Sequence, residues 1–380
     1  MTQPPPPPNG SWNPGSGGWP QGYPGGQPGP QWNPQQGWPQ TPPPPKKRGF
    51  AKWIIGGVAL VGVIAVTAVV AVSCTKSTGG DDKPTAAPTT SGAPTSDFAS
   101  ANDTGPVSVI TEDPSCAPWF PVQQTLADSE KNGWAERDPS LSADVWTPEI
   151  RSQYEAVRIA MRTAADQAEP LLKITPHRVM RELYGQFISY ARAYAQRIPV
   201  YTPPDNELGN VANYATQVLS DICKAIDNGS AAARAPRIAS APPPSKISSA
   251  SESTPTKFMP KPDSNCDGWE RELATFDSDP RIVAWRGVSP NISAGQWTPE
   301  QRAINDAAIP AMETSADELA RLGQESNNAV SEDIAVLAAQ YRRAFAAATP
   351  TYSPADTYLE NLPRSATALL ISACKSAGGN

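Results

Sequence analysis

Few residues of this 380-residue chain combine a reactive type with a reactive spacing. The single histidine, His177, follows Thr175-Pro176, and no second ligand stands near it at metal-binding spacing. No glycine-framed serine or lone reactive thiol accompanies it, so a nucleophile triad lacks its parts. His177 reads as a helix-start histidine, with no metal or cofactor expected. Asp166, Tyr190 and Arg192 recur as Asp317, Tyr341 and Arg343. Such a set is either a polar site made twice or, in packed helices, an interhelical ion pair; the second reading is preferred. Trp146 and Trp297 could stack sugars, but each directly precedes a helix cap and reads as a hydrophobic staple. No glycine-rich phosphate loop follows a strand pattern, and no catalytic residue is assigned.

The recurrence has a fixed register. Trp134 and Trp285 lie 151 positions apart, as do Cys223 and Cys374, and Trp146-Thr147-Pro148-Glu149 returns as Trp297-Thr298-Pro299-Glu300. Cys116 and Trp119 match Cys266 and Trp269 at a shift of 150. Each copy reads as helices. Thr147 caps a start, Pro148 takes the first helical position and Glu149 meets the dipole. Apolar residues then keep three-and-four spacing from Ile150 to Leu171, from Val179 to Ile198 and from Leu208 to Ile222. With a shorter helix at Trp119–Leu126, each copy holds about four. Pro310 predicts a kink or broken turn in the second copy. In an up-down-up-down bundle the first and last helix ends lie together, so Cys116 should pair with Cys223 and Cys266 with Cys374.

The elements around these copies set the expected compartment. Trp53 to Val72 carries no charge, and at ~1.5 Å per residue it spans ~30 Å, which predicts a transmembrane helix over 53–73. Lys46, Lys47, Arg48 and Lys52 precede it, placing the N-terminus in the cytoplasm and the copies outside the plasma membrane. The formal net charge of −6 divides into +4 over residues 1–52 and −10 beyond, so nucleic acid is not an expected partner. Cys74, at the outer end of the apolar stretch, reads as unpaired or intermolecular, and its surroundings fit a lipoprotein signal poorly. Residues 1–52 are a disordered Pro/Gly/Trp-rich tail, open to a cytoplasmic partner of its Trp-Pro units. That tail followed by one apolar helix resembles the proline-rich single-pass proteins of mycobacteria and related actinobacteria. The resemblance covers the first third of the chain and implies no activity.

The expected fold class is therefore mainly α. One transmembrane helix would be followed by two tandem disulfide-closed antiparallel bundles at 114–227 and 264–380, with linkers at 74–113 and 228–263. The expected function is a single-pass membrane protein whose duplicated modules bind or scaffold an envelope protein or glycan. The alternatives are a glycan hydrolase with paired carboxylates in a cleft and a transmembrane sensor. One stretch separates the copies. Leu171 to His177 is apolar where its counterpart, Leu322 to Asn328, has the polar chemistry of a turn, so Leu172 and Ile174 either fold back as a cap on the core, the preferred reading, or form the candidate partner surface.

Overall fold

The cap at Thr147 forms as its sequence dictates, its hydroxyl accepting from Ile150 N–H at 3.4 Å, and Thr298 forms a reciprocal capping box with Gln301. From these caps run the two longest helices of the computed structural model, which describes residues 97–131, 133–249 and 255–378. Copy 1 contains α1 (Cys116–Ser129), α2 (Pro148–Ile174), α3 (Arg178–Arg197) and α4 (Asn206–Asp227), followed by a short α5 (Ser230–Arg234). Copy 2 contains α6 (Cys266–Ser278), α7 (Pro280–Arg286), α8 (Pro299–Glu325), α9 (Ala329–Ala348) and α10 (Thr357–Gly378). There is no strand among the described residues. The helices of each copy pack in chain order, and disulfides join Cys116 to Cys223 and Cys266 to Cys374.

Four expectations change. Among the described residues no helix is long and apolar enough to cross a membrane. Even the 27-residue α2 carries Glu149, Arg151, Glu155, Arg158, Arg162, Asp166, Glu169 and Lys173 along its outer side. Over the described residues the fold class is corrected to a helical one without a membrane-spanning helix, which overturns the single-pass reading there. The stretch 53–73 lies outside the described residues, as do the tail 1–52 and Cys74.

Second, the copies are not separate bundles on a tether. All the described residues fall in one compact unit, joined most extensively by α4 against α10. The two helices run antiparallel: Gln217 accepts from Ser365 at 3.1 Å, and Lys224 lies over the Tyr358 ring at 5.6 Å. Ala215 and Ala366, equivalent in the two copies and fully buried, sit at the centre of this pairing, where small side chains let the axes approach. The seam is thus organised about an approximate two-fold axis.

Third, much of the two expected linkers is built into the body. Val107, Val109 and Ile110 are buried, and Ile110 N–H donates to the Tyr341 hydroxyl of copy 2 at 3.3 Å. Beyond α5, Ser245 binds Glu332, Ser248 binds Glu182, and Phe258 N–H donates to Gln186 while its carbonyl accepts from Asn328. The strap therefore stitches copy 1 to copy 2.

Fourth, of the kink or broken turn expected at Pro310 the broken turn is absent, since α8 continues through it. Proline removes one N–H, and the carbonyl it leaves without a partner is that of exposed Asp306, where water can satisfy it.

Candidate functional site

Most of the residues singled out by type turn out to hold the fold. His177 stands at the cap position of α3 with Nε2 3.0 Å from the Glu112 carbonyl, tying the N-terminal arm to the bundle. Among the described residues no group of three or more His, Cys, Asp or Glu could hold a metal ion. Arg192 pairs with Asp166 at 2.5 Å and Arg343 with Asp317 at 2.7 Å, both at the surface between the second and third helices of a copy. Tyr190 and Tyr341 are buried where the arms cross between copies. The Trp146 indole stacks on Tyr154 at 3.9 Å and donates to the Leu141 carbonyl, while that of Trp297 lies parallel to the Tyr352 ring and donates to Ile292. Both indoles are buried and present no face to a sugar.

Leu172 and Ile174 part company. The helix runs through both to Ile174, so the apolar residues close α2 instead of forming a turn. Leu172 folds back onto Gly185 of α3 and is buried, which removes it from the candidate partner surface. Copy 2 inverts the sizes. Gly323 and Val336 occupy the equivalent positions, with Gly323 so close to Ala335 that a Cβ would stand 2.9 Å from it. Ile174 remains 42% exposed.

Two carboxyls do meet. Glu182 of α3 and Asp333 of α9 are equivalent residues that face each other across the seam, and Arg178 grips Asp333 through Nε at 2.6 Å and Nη2 at 3.0 Å. Burial, reinforced by Asp333, pushes the Glu182 carboxyl well above the usual carboxylate range. The pair is sealed. The space beside Asp333 and Glu332 is about 10 Å³, at the lower limit for one water and far short of a sugar.

The open space lies elsewhere. A groove of about 340 Å³ on the outer side of α2 and α3 is lined by Arg158, Arg162, Asp166, Arg192, Ala195, Gln196 and Pro199. Glu155 binds Arg158 on its own helix, and Asp166 and Glu169 bind Arg192. Arg162, exposed midway between them, has no carboxylate within ion-pair distance among the described residues. Ile159 (55% exposed) flanks the groove, and Val200 (59%) follows its lining residue Pro199. The turn bearing Val145 (60%) packs beside the Ile198–Val200 turn. These are three of the six large apolar side chains left exposed among the described residues, which makes the groove's end an apolar rim. Copy 2 lacks the arrangement: Ile309, Glu313 and Ala347 replace Arg158, Arg162 and Gln196, and Gln296, Pro310 and Thr351 replace the apolar rim.

Residues 98–378 match the family described as mycobacterial ESX-1 associated protein. The chain belongs to that family. Over 348 residues it is 47% identical to an uncharacterized protein of Mycolicibacterium smegmatis (strain MKD8), a similarity that covers 90% of each chain. No solved structure matches the chain. The groove residues carry no reactive-type signal in the sequence, because arginines at i and i+4 on a helix are ordinary surface chemistry. The signal that could have found them is the difference between copies, Arg162 against Glu313, read at the 151-residue offset.

Proposed function

We propose that the duplicated helical body is a binding module that acts with components of the ESX-1 system, and that the outer groove of copy 1 is its docking face. The observation that carries this reading is the asymmetry: groove arginines and apolar rim occur together in copy 1 and are replaced in copy 2. An arginine cluster beside exposed aliphatic side chains has the composition of a protein-binding surface. The family supports the association with ESX-1. Two disulfides suit a compartment where thiols stay oxidised, outside the cytoplasm. A binding role is favoured over glycan hydrolysis because the facing acids are interior, Asp333 locked to Arg178 and Glu182 bound by Ser248.

The test is a photo-crosslinking amino acid placed at position 162 or, as control, at position 313 in mycobacterial cells with and without ESX-1. Adducts identified as ESX-1 components, formed from 162, absent from 313 and lost with ESX-1, are expected. Equal adducts from both faces, or adducts from 162 that persist unchanged without ESX-1, would overturn the reading.

A further inference from the structure

The charges in the groove say what kind of partner it takes, an inference that rests on the docking face proposed above. At the flanks the protein's own acids are already engaged: Glu155 holds Arg158 through Nε and Nη2, and Asp166 and Glu169 both bind Nη2 of Arg192. These pairs are solvent-facing, the carboxylates 46% to 68% exposed, and water screens them, so they exchange readily for a better-placed partner. Arg162 offers a full guanidinium fork with no ion pair to break among the described residues, and Arg is the side chain that recognises carboxylates bidentately. Ala195 and Pro199 line the same groove, and Ile159, Val200 and Val145 stand exposed toward its end.

Copy 2 provides the contrast. On the same face it presents Asp306, Glu313 and Asp317 against Arg343, and Asp306 and Glu313 have no cation within ion-pair distance among the described residues. A partner carrying acids would be attracted to the first face and repelled by the second; a basic partner would choose the reverse.

We infer that the copy 1 groove binds an acidic, partly apolar protein segment, whose carboxylates engage Arg162 first and Arg158 and Arg192 at its sides, and whose aliphatic residues cover Ile159, Val200 and Val145. The segment is helical or extended over a few residues, the length a 340 Å³ groove accommodates.

The test uses the full chain and a fluorescein-labelled 16-residue peptide with glutamates at i, i+4 and leucines at i, i+3, followed by anisotropy at low and at physiological salt. Saturable binding that weakens with salt is expected. Arg162→Glu should reduce affinity at least tenfold, Glu313→Arg should leave it unchanged, and a peptide with lysine in place of every glutamate should not bind. Arg162 makes no buried contact, so circular dichroism of the Arg162→Glu protein should match the parent. No binding of the acidic peptide, binding indifferent to Arg162→Glu, or sedimentation showing that a second copy of the chain occupies the groove would overturn the inference. Should the peptide fail while ESX-1-dependent crosslinks at position 162 persist, the docking face stands and the acidic chemistry of its partner falls.

Discussion

Copy 1 and copy 2 keep one register through three long helices, yet they satisfy equivalent positions in different ways. In the turn before the last helix, Asp205 of copy 1 is held by Arg197 of the preceding helix at 2.7 Å, in contact with solvent. The equivalent Asp356 of copy 2 is held by Arg234, which arrives on α5 from the other copy and also binds Thr351. In the interior, Ala164 and Ala191 of copy 1 are replaced in copy 2 by Ser315 and Arg342, which form a buried cluster with Glu272. On the outer face the sign of charge reverses, Arg162 against Glu313. The comparison separates two kinds of position. Caps, staples, disulfides and the small residues of the seam recur because each meets a requirement of the bundle itself. Positions that meet the strap, the other copy or a partner are free to diverge.

The largest expected effect tests whether the shared devices matter equally. Each disulfide closes a loop of more than a hundred residues, with separations of 107 and 108, and in the chain-entropy account each stabilises by ~4–5 kcal/mol. Replacing Cys116 and Cys223 by serine should therefore cost about as much as replacing Cys266 and Cys374. Because the copies share the α4–α10 seam, calorimetry should show one transition for either variant. Two separated transitions would mean that the copies unfold independently and that the seam is weak.

A second difference lies in that seam. Asp221 of α4 is buried, and burial pushes its carboxyl up to about 8, against the pull of Lys224 and Asn361. Its equivalent in copy 2 is the uncharged Ser372. The folded state holds this proton more tightly than the unfolded chain, so the contribution is fully present below about pH 4 and is lost as pH rises through about 8. Asp221→Asn should flatten the decline of urea stability across that window and make the variant more stable than the parent at pH 8. An unchanged pH profile would show that Asp221 ionises freely in the folded protein.

Third in size is the exchange of guanidiniums. Arg234→Ala leaves Asp356 buried without its partner and should cost about 3 kcal/mol, the usual penalty for breaking a buried pair. Arg197→Ala removes a half-exposed partner from the equivalent Asp205 and should cost less than about 1 kcal/mol. Equal losses in chemical denaturation would erase the distinction drawn between the two turns.

How much of this could be read from the residues follows from the range of each signal. The helices and their starts were legible because caps and three-and-four spacing are local. The cysteine pairing was legible because bundle topology brings first and last helix ends together. The seam was not: Ala215 and Ala366 look like ordinary helix formers until two copies are set against each other. Nor was the strap, since Ser245, Ser248 and Pro242 have linker composition and take their order from Glu332, Glu182 and the narrow space beside Asp333. Leu172 shows the same limit, since fold-back and partner surface are both open in the sequence. Its sequence neighbours suggested an apolar turn, whereas Gly185, thirteen positions away, supplies the space that buries it. The groove went unseen because nothing in Arg158 or Arg162 alone departs from surface chemistry.

The smallest effect concerns the caps. Thr147 and Thr298 are equivalent, and both accept from the third helical N–H, at 3.4 and 3.2 Å. Only in copy 2 does the third residue reach back: Gln301 accepts from Thr298 N–H at 3.0 Å, while copy 1 has Ile150 at that position, whose side chain packs on the core instead. Removing a threonine cap costs about 1 kcal/mol. Thr147→Ala and Thr298→Ala should each fall near that value, since the Gln301 bond is made to backbone and survives the substitution. The copies should diverge in the next step. Gln301→Ala should cost a few tenths of a kcal/mol through the lost reciprocal bond, whereas Ile150→Gln in copy 1 would supply the reciprocal bond but withdraw an apolar side chain from the core. If Ile150→Gln proved stabilising in urea titrations, packing at that position would count for less than the box, and the difference between the two helix starts would be accidental.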